Sequence, residues 1–434
     1  MAKENLPELA DALKDRQELE DQYFASIEAE NDFIRESIVS FHRIDILMEA
    51  VLGYEVMPCH RHMLIFQNSN PKTLTMAPRG IGKSTALTVI RAIFELVLNP
   101  NLRILIVSNT QLQAEIFLRE IKQHFEANSR FIEIFGNLVG TKWDSKEINV
   151  KTRKTFAKES SISCCGVGGA IIGRHYDLII GDDLVDEENS RTDLQRERFK
   201  IWFYKSLDPT LEPDGRMFIH GTRYYPSDHY GHLIKYDEQY KCRSYPAISK
   251  KRDGHRTTLW PEKMSLEWLD AKKKAMGSAL FATQYQNDVS LLEGKIFRYE
   301  DMKFYDDLPR EGLRIFQGVD LAIKQKETAD YFVICTIGKD QYNNIYLIDI
   351  FYKRLTFLQQ TEAIKKRFEL FKPLRVYIEA NAYQDSQSQV LLSTTDVRVV
   401  PIITLKDKVT RAWHLAHKFE SGQVFFPKIG RAHV

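Results

Sequence analysis

Cysteine is scarce in this chain. Cys59, Cys164, Cys165, Cys242 and Cys335 are odd in number and form no C-x-x-C pair, which argues against both a disulfide framework and a thiolate zinc site. They read as reduced, cytosolic thiols. No uninterrupted apolar run reaches membrane-spanning length, and Met1-Ala-Lys-Glu-Asn5 leads into charged, helix-prone sequence, so neither secretion nor membrane insertion is expected. Internal repeats and low-complexity segments are missing too. So is an excess of charge: 61 Lys and Arg against 59 Asp and Glu leave +2, and any nucleic-acid contact must come from local patches. Lys151-Thr-Arg-Lys154, Lys250-Lys-Arg252 and Lys272-Lys-Lys274 are the candidates. What is present is a globular chain of 434 residues, 43% hydrophobic and 28% charged, long enough for two cores.

The most informative run is Thr73-Leu-Thr-Met-Ala-Pro-Arg-Gly-Ile-Gly-Lys-Ser-Thr85. Thr73 to Met76 read as a short buried strand, and Ala86 to Leu98 as a helix packed on a sheet. Between them Gly80 and Gly82 let backbone N–H groups turn toward phosphate oxygens. Lys83 reaches the β- and γ-phosphates of ATP, and the hydroxyl of Ser84 or Thr85 holds Mg²⁺ at the positive end of the helix. The first glycine of G-x-x-x-x-G-K-[ST] is replaced by Ala77, and Arg79 sits inside the loop, where a second cation can touch the γ-phosphate.

Residues 1–50 form an N-terminal segment with apolar positions at helical spacing (Phe24, Ile27, Phe33, Ile34, Ile38, Phe41). Residues 51–290 alternate strands and helices: Arg103–Val107, Tyr176–Gly181 and Arg216–His220 are strands, Gln111–Phe125 a helix. This predicts an α/β domain with a parallel sheet. Residues 291–312 read as a connector, and 313–434 as a second domain. There three successive hairpin-like strands, a helix at about Phe357 to Phe371 and a further strand make a ribonuclease-H-like order.

Tyr176-Asp-Leu-Ile-Ile-Gly-Asp-Asp183 supplies a carboxylate at the carboxyl end of a buried strand. Asp182 suits the water shell of Mg²⁺. Asp183 stands where many ATPases place a glutamate to orient the attacking water, with Glu187 and Glu188 as alternatives. Arg174 and Arg79 compete as the cation that stabilises γ-phosphate charge, Arg174 either within the subunit or across to a neighbour. His220-Gly-Thr222-Arg223 ends another strand, with a hydroxyl placed to sense hydrolysis. In the second domain Asp320, Asp330 and Glu379 lie at strand ends, an arrangement suited to a two-metal nuclease, whereas Asp349 is expected to face solvent.

An ATPase cradle followed by this carboxylate set resembles the large terminase subunit of tailed bacteriophages over about residues 50 to 430. Ala77–Thr85, Gly173–Asp183, His220–Arg223, Gly318–Ala322 with Ala329-Asp330, and Tyr377–Asn381 carry the resemblance. It implies a P-loop (ASCE-type) ATPase domain joined to a ribonuclease-H-like nuclease domain, driving double-stranded DNA into a procapsid and cutting the concatemer. Implied partners are DNA, a portal protein, a small terminase subunit and further copies in a ring, a pentamer, in the host cytoplasm and away from membranes. Lys83, Ser84 and Asp182 become nucleotide and Mg²⁺ ligands, Asp183 the hydrolytic carboxylate and Thr222 the coupling residue. Asp320 and Glu379, with Asp330 beside them, become ligands of Mg²⁺ or Mn²⁺. His60 stands where terminases carry an adenine-contacting segment. One departure is implied as well. Terminases bring a last nuclease aspartate from an acidic segment after a stretch resembling Ser421–Pro427, and Gly430-Arg-Ala-His-Val434 supplies no acid.

Overall fold

The computed structural model describes residues 6–292, 296–309, 311–321, 331–379, 397–402 and 408–428. The chain divides into two units, Met1–Leu269 with Phe281–Leu291, and Asp270–Leu280 with Leu292–Val434. The division is not a single cut. In the second unit the Ser278 N–H donates to Glu420 Oε2 at 2.9 Å, and such a sequence-distant tie leaves no local pattern to read. No described helix is long and apolar enough to cross a membrane.

The first unit is built on eight strands: β1 (Lys72–Met76), β2 (Ile104–Ser108), β3 (Val139–Trp143), β4 (Glu147–Val150), β5 (Ile162–Gly166), β6 (Tyr176–Asp182), β7 (Leu211–Gly221) and β8 (Lys241–Ser244). Their order is β3-β4-β5-β2-β6-β7-β1-β8, and β9 (Ile248–Lys250) with β10 (Arg256–Thr258) forms a separate hairpin. From β5 to β8 every pair in the large sheet is parallel, and the β3–β4 hairpin closes one edge antiparallel. Parallel strands need helical crossovers, which cover both faces. All five residues of β2 are accordingly buried, and its sequence Ile-Leu-Ile-Val-Ser does not alternate. Leu74, Leu105, Ile179, Met217, Ile219 and Phe203 meet in one core. β7 lies between β1 and β6, so the strand carrying the glycine loop and the strand carrying Asp182 are not neighbours. The end of β7 stands between them.

Before this sheet runs a long helix, Leu6–Val39, tied down where Arg35 Nε donates to the Ile134 carbonyl at 2.7 Å and Arg130 bonds Glu30 and Asn31. After β1 the chain enters a helix at Lys83 whose first turns, Thr85–Ile90, are wound wide as a π-helix before Arg91–Leu98 continues as α-helix. Such insertions cluster at functional sites because they re-aim side chains on the helix.

The second unit holds β11 (Lys303–Tyr305), β12 (Arg314–Asp320), β13 (Phe332–Lys339), β14 (Ile345–Lys353), β15 (Arg375–Glu379), β16 (Val399–Ile402) and β17 (Val424–Pro427), in the order β11-β17-β14-β13-β12-β15-β16. β12, β13 and β14 form an antiparallel meander, the helix Phe357–Phe371 follows, and β15 returns parallel to β12. This is the ribonuclease-H-like order. Ile364 of the helix packs with Val319, Phe332, Ile334, Val376 and Ile378. Asp349 corrects its expectation: it pairs with Arg367 of that helix, on the covered side of the sheet.

Candidate functional site

The loop from Ala77 to Gly82 is anchored at its start, where the Ala77 N–H donates to the Gly221 carbonyl at 3.0 Å. Ala77 is fully buried and is not among the residues with positive φ, so the replaced consensus glycine is not required here. Gly80 and Gly82 are required. Their φ angles are +81° and +74°, in the left-handed region that side chains strain. Beneath Gly82 lies His60, 2% exposed, with both ring nitrogens taken by backbone. The Met57 N–H donates to Nδ1 at 3.2 Å, and Nε2 donates to the Ile81 carbonyl at 2.6 Å. Burial holds this imidazole below its usual pKa, and the two bonds define a neutral ring protonated at Nε2. His60 therefore corrects its expectation of a base contact: no polar atom is left for one, and the ring holds the loop from below.

Lys83 is 6% exposed, and its Nζ lies 2.9 Å from Asp183 Oδ2. Ser84 Oγ donates to Asp182 Oδ1 at 3.1 Å. Thr85 is half-buried, and the hydroxyl that joins Ser84 on Asp182 comes from Thr88, which donates to Oδ2 at 2.7 Å. His220 Nε2 completes the group, 3.0 Å from the same Oδ2 and 2.9 Å from Thr88 Oγ1. Burial alone would raise the Asp182 carboxyl, but His220, Lys83 and Thr88 together hold it below its ordinary value, as an anion. Its main-chain carbonyl accepts from Ser108 Oγ at 3.0 Å. Asp183 takes φ +45°, rare outside glycine, and its N–H donates to the His220 carbonyl at 2.9 Å. Its Oδ1 is buried with no hydrogen-bond partner among the described residues.

The remaining expected residues are placed unequally. Thr222 is buried two residues beyond His220, and it is His220 that touches the carboxylate. Arg79 donates to the Tyr224 hydroxyl, with its guanidinium 5.9 Å from that ring's centre. Arg174 is not brought to this group. It precedes β6, whose seven residues separate it by about 20 Å from Asp182, and it pairs with Glu147. Reading the sequence missed His220 and Thr88 as members. Ser84 and Thr88 stand four apart on one helical face, a spacing that signals their proximity, but only the sheet order brings His220 to them.

In the second unit Asp320 ends β12 and Glu379 ends the adjacent parallel strand β15. The register Val319↔Ile378 puts these two residues on the following rung of neighbouring strands. Asp320 is exposed at a cavity of about 520 Å³ lined also by Gly318, Cys335, Tyr377, Phe297 and Arg411. Asp330 lies outside the described residues. Among the described residues, no three His, Cys, Asp or Glu side chains come together as a metal cluster.

Residues 317–432 match the family model described as the terminase RNaseH-like domain. Among solved structures, the chain is similar to the large terminase of a thermophilic bacteriophage at 11% identity, covering 86% of this chain and 88% of that one with a TM-score of 0.49. The HK97 bacteriophage large terminase gives 13% identity, 89% of each chain and a TM-score of 0.39. The large terminase ATPase domain of Thermus phage P74-26 gives 17% identity over 55% of this chain and 96% of that one, also at 0.39. No curated protein matches.

Proposed function

We propose that this chain is the large subunit of a phage terminase, an ATP-driven motor that moves double-stranded DNA into a procapsid and cuts it with a metal-dependent nuclease. One observation carries the reading: Lys83, Ser84, Asp182 and Asp183 converge at the carboxyl edge of a parallel sheet, in a chain whose other unit matches a terminase RNaseH-like domain. Neither half alone would distinguish a packaging motor from the many other ATPases or nucleases.

In this reading the N–H groups of the glycine loop and Lys83 bind the β- and γ-phosphates of ATP. Ser84 and Asp182 hold Mg²⁺, a role suited to a hydroxyl and an ionised carboxylate already directed at each other at the start of a helix. The ion would neutralise phosphate charge. Asp183 orients the attacking water. Its partner is Lys83, so phosphate oxygens that drew Lys83 away would leave the carboxylate free to accept a proton. Arg79, within the loop and bonded to Tyr224, is the cation for the γ-phosphate within the subunit. Arg174, at the opposite end of β6, serves only across a ring interface. Thr222 couples the site to motion, Asp320 and Glu379 with Asp330 hold Mg²⁺ or Mn²⁺ in the nuclease, and the ring, portal protein, small subunit and host cytoplasm follow from the packaging role.

The test is DNA-stimulated ATPase activity together with plasmid cleavage. Lys83→Ala should abolish the first and leave the second, whereas Asp320→Ala or Glu379→Ala should do the reverse. ATPase activity that survives Lys83→Ala would falsify the cradle reading.

A further inference from the structure

His220 is fully buried at the end of β7, with no part in the function so far described. Its Nε2 faces Asp182 Oδ2 at 3.0 Å and Thr88 Oγ1 at 2.9 Å, while the Thr88 hydroxyl is 2.7 Å from that same Oδ2. These three atoms close a triangle. An ionised carboxylate only accepts, so the protons are assigned: Thr88 donates to Asp182, and Nε2–H is shared between Asp182 and Thr88. The other ring nitrogen, Nδ1, is buried with no partner among the described residues. On the same rung of the adjacent strand stands Thr75, in register with His220. Its Oγ1 is also buried and partnerless among the described residues. Side chains paired across parallel strands project to one face of the sheet, so the two unpaired atoms lie on the same face.

We propose that His220 is a positioning residue for the Mg²⁺-binding carboxylate, holding Asp182 Oδ2 jointly with Thr88 so that Oδ1 is presented with Ser84. The inference rests on the ATPase reading. Burial makes the arrangement consequential: with 1% of Asp182 exposed, water cannot replace a lost donor, and a carboxylate short of one partner turns toward whatever donor remains. The imidazole also outreaches serine or threonine at this strand end. It spans from the β7 backbone to the helix that begins at Lys83, so Asp182 is held from two elements at once.

The experiment compares His220→Gln, whose amide Nε2 reproduces the donor, with His220→Leu, which keeps the bulk and removes it, and with Thr88→Val. Binding of a fluorescent ATP analogue is titrated with and without Mg²⁺ on the full chain. The expected result is a Mg²⁺ half-saturation raised about tenfold in His220→Leu and Thr88→Val, the loss of one charge-assisted donor, with Mg²⁺-free nucleotide binding unchanged. His220→Gln should return to within about threefold of wild type, a rescue that a purely space-filling role would not produce. Wild-type Mg²⁺ dependence in His220→Leu, or equal impairment in the Gln and Leu variants, overturns the proposal. Should His220→Leu not fold, Thr88→Val and His220→Gln decide the question by the same criteria. Failure of the wild-type chain to bind the analogue at all would instead remove the ATPase reading.

Discussion

Replacing Asp183 by asparagine changes one oxygen to nitrogen and tests the central contact of the ATPase site. Lys83 Nζ and Asp183 Oδ2 are 2.9 Å apart. At an effective dielectric of ~20 two unit charges at that separation attract by about 6 kcal/mol before any cost is counted. The Asp183 side chain is 40% exposed, so solvent screening and the hydration lost by both groups reduce the net worth to about 1 kcal/mol. Nucleotide must overcome this competitor to engage Lys83. Asp183→Asn removes it, and affinity for ATP should rise about fivefold. Asparagine also accepts the φ of +45° at least as readily as aspartate, so folding should not suffer. Turnover should fall about a hundred- to ten-thousand-fold, the usual worth of a general base. The joint signature of tighter binding and lost turnover is measured by fluorescent-nucleotide titration and steady-state ATPase assay with DNA present. Turnover within a few-fold of wild type would refute the reasoning and move attention to Glu187 and Glu188, both exposed on the short helix that follows. Weaker binding would show that Lys83 is not held back by Asp183.

Acid should loosen the β3–β4 edge in a defined window. Burial would raise the Glu147 carboxyl, but hydrogen bonds from Lys142 and Arg174 outweigh it and bring it from 4.5 down to about 2. A depressed folded pKa gives stability that is complete above 4.5 and drains away as pH falls toward 2. The stability difference between wild type and Glu147→Gln, followed by circular dichroism in urea, should therefore be largest above about pH 5 and shrink toward about pH 2; a difference independent of pH would contradict the pairing. Arg91 offers a second stability test. It is fully buried, donating to Gln67, Asn68, Glu95 and the Leu64 carbonyl, and burial lowers its pKa to about 10. Arg91→Leu should cost about 3 kcal/mol in urea unfolding, the low end for breaking a buried pair, because Arg216 still holds Glu95. A cost below about 1 kcal/mol would mean that the network is dispensable.

Some of this protein is legible in its residues because the chemistry is contiguous. A strand, a glycine loop, a lysine and a helix occupy consecutive positions from Thr73 onward, and the turn geometry that Gly80 and Gly82 permit is a local property. The apolar run ending at Asp182 and the meander, helix and strand of the second unit are read for the same reason: periodicity is carried by neighbours along the chain. The fold class follows from such segments.

Strand order and burial are not local. Which strand lies between β1 and β6 depends on crossovers of many residues, and it is that order which sets His220, 38 residues beyond Asp182, against its carboxylate. The same order carries Arg174 to the far end of β6, turns His60 under the loop instead of toward a base, and encloses Arg91, a residue whose charge alone would place it in water. Sequence by itself determined that a phosphate-binding loop and strand-end carboxylates exist. Only the tertiary structure decided which buried donors hold them, because hydrogen bonds between distant segments depend on packing that no single segment encodes.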